Sequence, residues 1–504
     1  MAVNQIKAGA VLNYVILALN ALAGLLYTPF LLRMLGQSEF GIYSLAASVI
    51  AYLSMLDAGF GNAVIRYTAK YRAEGKSSEQ YKLFGLFTIL YVIIGFLTLC
   101  LGLILYFNLG SMFGDTLNPV ELERSKVIIL LMVINLAFSF PLSIYGAIIF
   151  AYENFIFLRV MQIGRIVVNI VVMIFLLTLG YKAVAMVVLQ TVLNFIVLGA
   201  NVWYSRRKLN VRVHFGRFDV SLLKEIAIYS FWIFLNVIMD RIYWSTGQFI
   251  LGMVSGTIAV AVFSVAIHLE GIYMSFSTAI SSVFLPRVTK LVVKSDNKKE
   301  ISDLFIRTGR IQYCILAFVL VGFIIFGRPF IDLWAGPGYS EAYEITLLFF
   351  ISLTIPLMQN LGITILQARN QMKFRSLLYI VIAVVSLLFQ YPLAKFYGGI
   401  GCAWAISVAL LLGQGLIMNI YYNRHQGIDI FHFWREILKM TIVPAIAVII
   451  GVVALRYVEV TSISRLFIVM VVFMILYLPA FWLFAMNKYE RNLIKSPIMK
   501  IIRR

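Results

Sequence analysis

Apolar segments of roughly 20 residues, the length a helix needs to cross about 30 Å of hydrocarbon, recur along this chain from one end to the other. One of them, LFGLFTILYVIIGFLTLCLGLILYF at 83–107, contains no charged residue. Inside a bilayer no water is available to satisfy backbone groups, so segments of this length must be helices. The pattern predicts about fourteen such spans, running from 9–32 to 466–484, and therefore an all-α polytopic membrane protein. A chain of 504 residues that is 62% hydrophobic and 13% charged, with a mean hydropathy of +0.93, could not be kept soluble as a globular fold.

The stretch from Tyr27 to Ile65 recurs in degraded form about 220 residues later. Laying Ser44 on Ser264 brings Gly36 onto Gly256, Ala46 onto Ala266 and Lys70 onto Lys290. An offset that stays constant over several helices reads as a duplication, and parallel repeats are a standard build of secondary transporters, with the substrate path at the repeat interface. The expected organisation is a six-helix lobe over 1–222, a second six-helix lobe over 223–426, and two further helices with a basic tail over 427–504.

Lys and Arg are distributed unevenly among the loops. One side gathers Arg66, Lys70, Arg72, Lys76 and Lys82, then Arg206, Arg207, Lys208 and Arg212, then Arg287, Lys290, Lys294, Lys298 and Lys299. The other side holds Arg33, Arg124, Lys126, Lys182, Arg328, Lys395, Arg456 and Arg465. The richer side is the cytoplasm, which puts both termini there. The net charge of +20 is then topology plus attraction to anionic headgroups, and no nucleic-acid partner is needed. Apolar character follows Lys7 and continues from Gly9 to Leu32, as in an uncleaved first helix.

Loops this short leave no room for a soluble catalytic or nucleotide-binding domain, and no GxxxxGK[ST] loop is present; the chain is not expected to be an enzyme. Cys100, Cys314 and Cys402 sit at unrelated positions within spans, and the four histidines lack ligand spacing, so neither disulfide nor metal is expected. No cofactor is implied.

The remaining chemistry lies in polar residues on the spans, where a charge costs roughly 2.5–3.5 kcal/mol and tends to mark a pathway. Arg159, Gln162, Arg165 and Asn169 are spaced by three, three and four residues, which puts them on one face of an otherwise apolar helix. The next span carries Gln190, Asn194 and Asn201, and the first Asn13, Asn20 and Thr28. Single Asn and Gln residues also serve simply as glue between helices, so the arginine stripe is the stronger signal. In the second half, Asn236, Asp240 and Arg241 lie on one span, with His268 and Glu270 on the next. Either Arg241 is neutralised by Asp240 or Glu270 as a buried pair, or Arg241 and Arg165 hold an anionic head group while Asp240 or Glu270 exchanges a proton or sodium ion. Asp57, in LDAGFGNAVIR, is a third carboxylate that either meets water, caps the following turn or takes part in coupling. The glycines beside it permit a kink.

Four segments resemble the lipid-linked oligosaccharide flippases, the polysaccharide biosynthesis proteins of bacterial O-antigen and exopolysaccharide pathways. They are LLRMLGQSEFGIYSLA (31–46), LDAGFGNAVIRYTAKY (56–71), FLPRVTKL (284–291) and ILQARNQMKFR (365–375). These flippases belong to the multidrug/oligosaccharidyl-lipid/polysaccharide exporter superfamily. The resemblance implies two lobes around a cationic cavity, alternating between inward and outward openings in the bacterial inner membrane. The implied substrate is an oligosaccharide on undecaprenyl diphosphate, and a polysaccharide polymerase and chain-length regulator are implied partners. Two rivals share the superfamily. A multidrug or cation antiporter would carry an acidic cavity, and a lipid II flippase a denser set of charges on its first two helices.

Overall fold

The computed structural model describes residues 5–57, 59–215, 220–294, 297–369, 371–493 and 495. Helices dominate, and no strand occurs among the described residues. In chain order they are α1 (Gln5–Leu22), α2 (Thr28–Leu53), α3 (Phe60–Ala73), α4 (Ser77–Phe113), α5 (Pro119–Ala151), α6 (Phe155–Thr178), α7 (Ala183–Arg207), α8 (Val220–Trp244) and α9 (Thr246–Val254). There follow α10 (Gly256–Lys294), α11 (Lys298–Trp334), α12 (Ala342–Met358), α13 (Leu361–Ala368), α14 (Lys373–Leu410), α15 (Met418–Arg424), α16 (Ile430–Leu455) and α17 (Ile463–Phe484).

Among the described residues ten helical stretches are long and apolar enough to cross a membrane, and the α12–α13 pair, bent by 41°, makes an eleventh if it is taken as one span. Two of the ten, Ala8–Ala73 with 66 residues and Lys373–Arg424 with 52, far exceed the roughly 20 residues of one crossing. Each turns sharply at a glycine, Gly36 (φ 75°) in α2 and Gly398 (φ 57°) in α14. The helical map is thus compatible with fourteen crossings. Gly36 and Gly256, superposed by the repeat register, both adopt positive φ, 75° and 82°, a conformation open to glycine because it lacks Cβ.

The chain divides into two compact units, 1–261 and 262–504. This division falls inside α10, beyond the 222/223 boundary that the repeat predicts, because α9 packs with the first helices. Phe249 stacks edge-on against Tyr52 of α2 and Phe113 of α4, and the Thr116 hydroxyl donates to the Gly252 carbonyl at 2.6 Å.

In the first unit the core lies where α3, α4 and α5 meet, around Tyr67, Phe84, Phe87, Tyr91, Phe140 and Ile148. Small residues let α4 and α5 approach, as is usual where lipid gives helices no hydrophobic reason to associate; Gly95 lies against the Ala137 carbonyl and Gly102 against Val133. The entry to α5 is fixed by a capping box, with Asn118 accepting from the Glu121 N–H at 2.9 Å and Glu121 from the Asn118 N–H at 3.1 Å.

In the second unit Tyr273 of α10 stacks on Phe350 of α12 at 4.2 Å, and the buried Gln312 of α11 sits between the hydroxyls of Ser277 and Ser281 and the carbonyls of Leu357 and Met358. The last two helices, α16 and α17, pack on α11. Outward-facing Leu, Ile, Val and Phe side chains cover much of both units, as expected of surfaces bathed in acyl chains.

Candidate functional site

The arginine stripe of α6 is met by polar side chains from α7 and α5. Arg165 donates from Nη1 to Oδ1 of Asn194 at 3.4 Å. The Asn194 amide nitrogen, in turn, donates to Asn135 Oδ1 at 2.8 Å and to Ser139 Oγ at 2.7 Å. One amide therefore ties the guanidinium to a third helix, with acceptor and donor ends both used. Nearly two turns earlier on α6, Arg159 donates to Gln162 at 3.2 Å. One turn earlier on α7, Gln190 exchanges a 3.3 Å hydrogen bond with Tyr43 of α2.

The partners of Arg159 and Arg165 are thus neutral amides, and among the described residues no carboxylate pairs with either. Gln162 and Arg165 are exposed, while Arg159 and Asn169 are half-buried. The face is consequently cationic and polar on a helix whose remaining residues are apolar apart from Gly164 and Thr178. It can accept an anion and donate to hydroxyls.

Asn135 and Ser139 were not singled out from sequence. Their signal is a spacing of four within the apolar run IILLMVINLAFSF, the same one-face rule that identified α6.

Asp57 ends a short 3-10 turn (Ser54–Asp57) between α2 and α3, and accepts from the Tyr91 hydroxyl at 2.8 Å; the break is made at Gly59, φ 72°. Arg241 of α8 is half-buried, with a buried Nε that has no hydrogen-bond partner. Its neighbour Asp240 is exposed, and the side chain of Asn236 lies outside the described residues. Glu270 of α10, in the second unit, is 3% exposed and its Oε1 has no hydrogen-bond partner. A buried carboxylate without a partner is costly unless a proton or cation accompanies it. Among the described residues no group of three or more His, Cys, Asp or Glu could hold a metal ion.

Comparison with known proteins places this geometry in context. A protein of Shigella flexneri named "Putative O-antigen transporter" is 21% identical over 399 residues, covering 78% of this chain and 92% of that one. Among solved structures, the lipid II flippase MurJ in an inward closed conformation aligns with a TM-score of 0.71 at 16% identity, over 96% of this chain and 99% of that chain. An inward-facing multidrug resistance MATE family transporter of the MOP superfamily aligns with a TM-score of 0.63 at 16% identity, over 79% and 95%. The fold is therefore that of these membrane transporters. The profile of a family described as polysaccharide biosynthesis protein matches residues 6–292, more than half of the sequence, and the chain belongs to that family.

Proposed function

We propose that this protein is a flippase that moves an oligosaccharide linked to undecaprenyl diphosphate from the cytoplasmic to the outer leaflet of a bacterial inner membrane. The observation that carries this reading is the cationic face of α6, where Arg165 is held by Asn194 and, through it, by Asn135 and Ser139. A diphosphate is the anion that such a face would attract in low-dielectric surroundings, and the flanking amides can donate to sugar hydroxyls. The lipid tail stays in the bilayer throughout.

In this reading the repeat-related halves, 1–222 and 223–426, rock around the site, 427–504 adds two peripheral helices, and both termini are cytoplasmic. Arg159, Gln162, Arg165, Asn169, Asn194, Asn236 and Arg241 bind substrate. Asp240, Glu270 and Asp57 serve as counter-ions or carry the coupling proton or sodium ion. A polymerase and a chain-length regulator would take up the product, and no bond in the substrate is made or broken.

The test uses sealed proteoliposomes with a fluorescent undecaprenyl-diphosphate oligosaccharide, scored for accessibility from the opposite leaflet with and without an ion gradient, and with a cationic dye and lipid II as competing substrates. Protein-dependent movement of the lipid-linked sugar supports the reading. Dye transport without lipid movement would make the protein a drug exporter, and preference for lipid II would make it a cell-wall flippase.

A further inference from the structure

The first unit contains a second polar site, away from the α6 stripe, at the end where α6 turns into α7. A cavity of about 710 Å³ opens there, lined by Glu39, Arg124, Tyr181 and Lys182 and by an apolar wall from α6 and α7. On α7 the wall includes Val184, Val188 and Val192 at four-residue spacing, with Val188 and Val192 exposed. Charge is gathered at one end and the apolar stripe runs away from it along the helix, the shape of an amphiphile with a charged head. Tyr181, 56% exposed, stands at the junction, as aromatic residues do at a membrane interface.

The headgroup end is occupied by the protein itself. Glu39, 3% exposed, pairs through Oε1 with the guanidinium of Arg124 and accepts through Oε2 from the Ala183 N–H at 3.3 Å. Arg124 keeps 45% of its side chain exposed, and Lys182 is exposed beside it. A guanidinium with an adjacent ammonium is a donor set that serves carboxylate and phosphate alike. Glu39 is also three residues beyond Gly36, the break in α2, so a change at that break would carry the carboxylate away from its donors.

We infer that this cavity binds the diphosphate of the undecaprenyl-linked product after it has crossed, with Arg124 and Lys182 as phosphate ligands, the Val184–Val188–Val192 stripe against the isoprenoid, and Glu39 standing in for the phosphate when the site is closed. The inference rests on the flippase reading, in whose topology this end faces the outer leaflet. It gives the lipid a landing site distinct from the α6 face.

The experiment is photo-labelling of the full chain in nanodiscs with undecaprenyl diphosphate carrying a diazirine on the isoprenoid unit next to the head. Label is expected on residues 181–192, lowered about fivefold in Lys182→Gln and raised by a similar factor in Glu39→Gln. Excess unlabelled undecaprenyl diphosphate should displace it, whereas phosphatidylglycerol at the same excess should not. Lys182 is exposed and does not support Glu39, so its variant tests the site without risk to folding. Label elsewhere, label indifferent to Lys182→Gln, or equal displacement by phosphatidylglycerol overturns the inference. The leaflet assay on the same preparation separates the two readings. Movement without label at 181–192 removes this site alone, while label there without movement supports the phosphate site and removes the flippase reading.

Discussion

Glu490 lies across the guanidinium of Arg310, with Oε1 2.6 Å from Nε and Oε2 3.0 Å from Nη2, although 180 residues separate them. Both are almost fully buried, at 3% and 4% exposure. The remaining donors of Arg310 reach Glu436 of α16 at 2.9 Å and the carbonyl of Ala485, just past α17, at 3.3 Å. A single side chain on α11 thus gathers the last two helices and the segment after them. Removing one partner of such a network leaves the other charge buried without compensation, at a cost of about 3–5 kcal/mol. Arg310→Ala should therefore lower the thermal transition of the full chain in detergent far more than loss of one exposed ion pair. Replacing both partners, Arg310→Met with Glu490→Leu, should recover most of the loss, because apolar side chains of similar volume need no counter-charge.

Arg165 depends on Asn194 for its orientation, and Asn194 depends on α5. If the network acts as a unit, Arg165→Ala and Asn194→Leu should each slow movement of the lipid-linked sugar by about tenfold or more, equivalent to about 1.4 kcal/mol. The double variant should be little worse than either single one, since residues sharing a network couple rather than add. Asn135→Leu should fall in the same group. Arg165→Lys should recover part of the rate, keeping the charge and losing the planar fork. Initial rates in proteoliposomes, normalised to reconstituted protein, decide the matter; full activity in Arg165→Ala would remove the α6 face from the mechanism.

Gly41 on α2 faces Thr257 so closely that a Cβ there would run into the Thr257 carbonyl. The same region is tied by Glu121, which accepts from Ser38 and, at 2.8 Å, from the Thr257 hydroxyl. Gly41→Ala should cost about 1–3 kcal/mol by overpacking. Gly199, on α7, has nothing within 4 Å of where a Cβ would lie, so Gly199→Ala should be neutral or stabilise by about 0.5–1 kcal/mol through helix propensity. Thermal scans of the two variants side by side check the contrast.

Much of this architecture was legible in the sequence, for reasons specific to membranes. A bilayer allows an apolar stretch of 83–107 little choice but a helix, so the existence of spans follows from length alone. Gly36 and Gly256 could be paired by register, and their shared positive φ is the kind of backbone demand that keeps a glycine in place. The long α4, 37 residues, exceeds the apolar run at 83–107 because hydropathy marks the apolar part of a helix and not its polar extension into water. The α6 stripe was visible because it is dense, four polar residues on one face. Asn135, Ser139 and Glu39 were not, because what makes each of them part of a site is a partner on another helix. Arg310, 4% exposed, carries no signal of its own in the sequence for the same reason. Charge tells that a residue is polar, and only packing tells that it is buried.

Glu270 supplies the sharpest test of coupling. It sits in α10 at 3% exposure with an oxygen that has no hydrogen-bond partner, so as an anion it would need an accompanying cation. Glu270→Gln keeps shape and polarity and cannot take up or release a proton, nor can it offer a charge to sodium. The substituted chain should therefore fold as well as the parent or slightly better, since an unpaired buried carboxylate is among the more costly groups a core can hold. Its transport, measured at matched protein density, should lose its response to a proton or sodium gradient and fall toward the rate seen without one. Glu270→Asp, which keeps the charge and shortens the reach, should retain a gradient response at a reduced rate. If Glu270→Gln responds to the gradient as the parent does, coupling must be sought at Asp57, where the Tyr91 hydroxyl already marks a carboxylate at a helix break, or at Asp240.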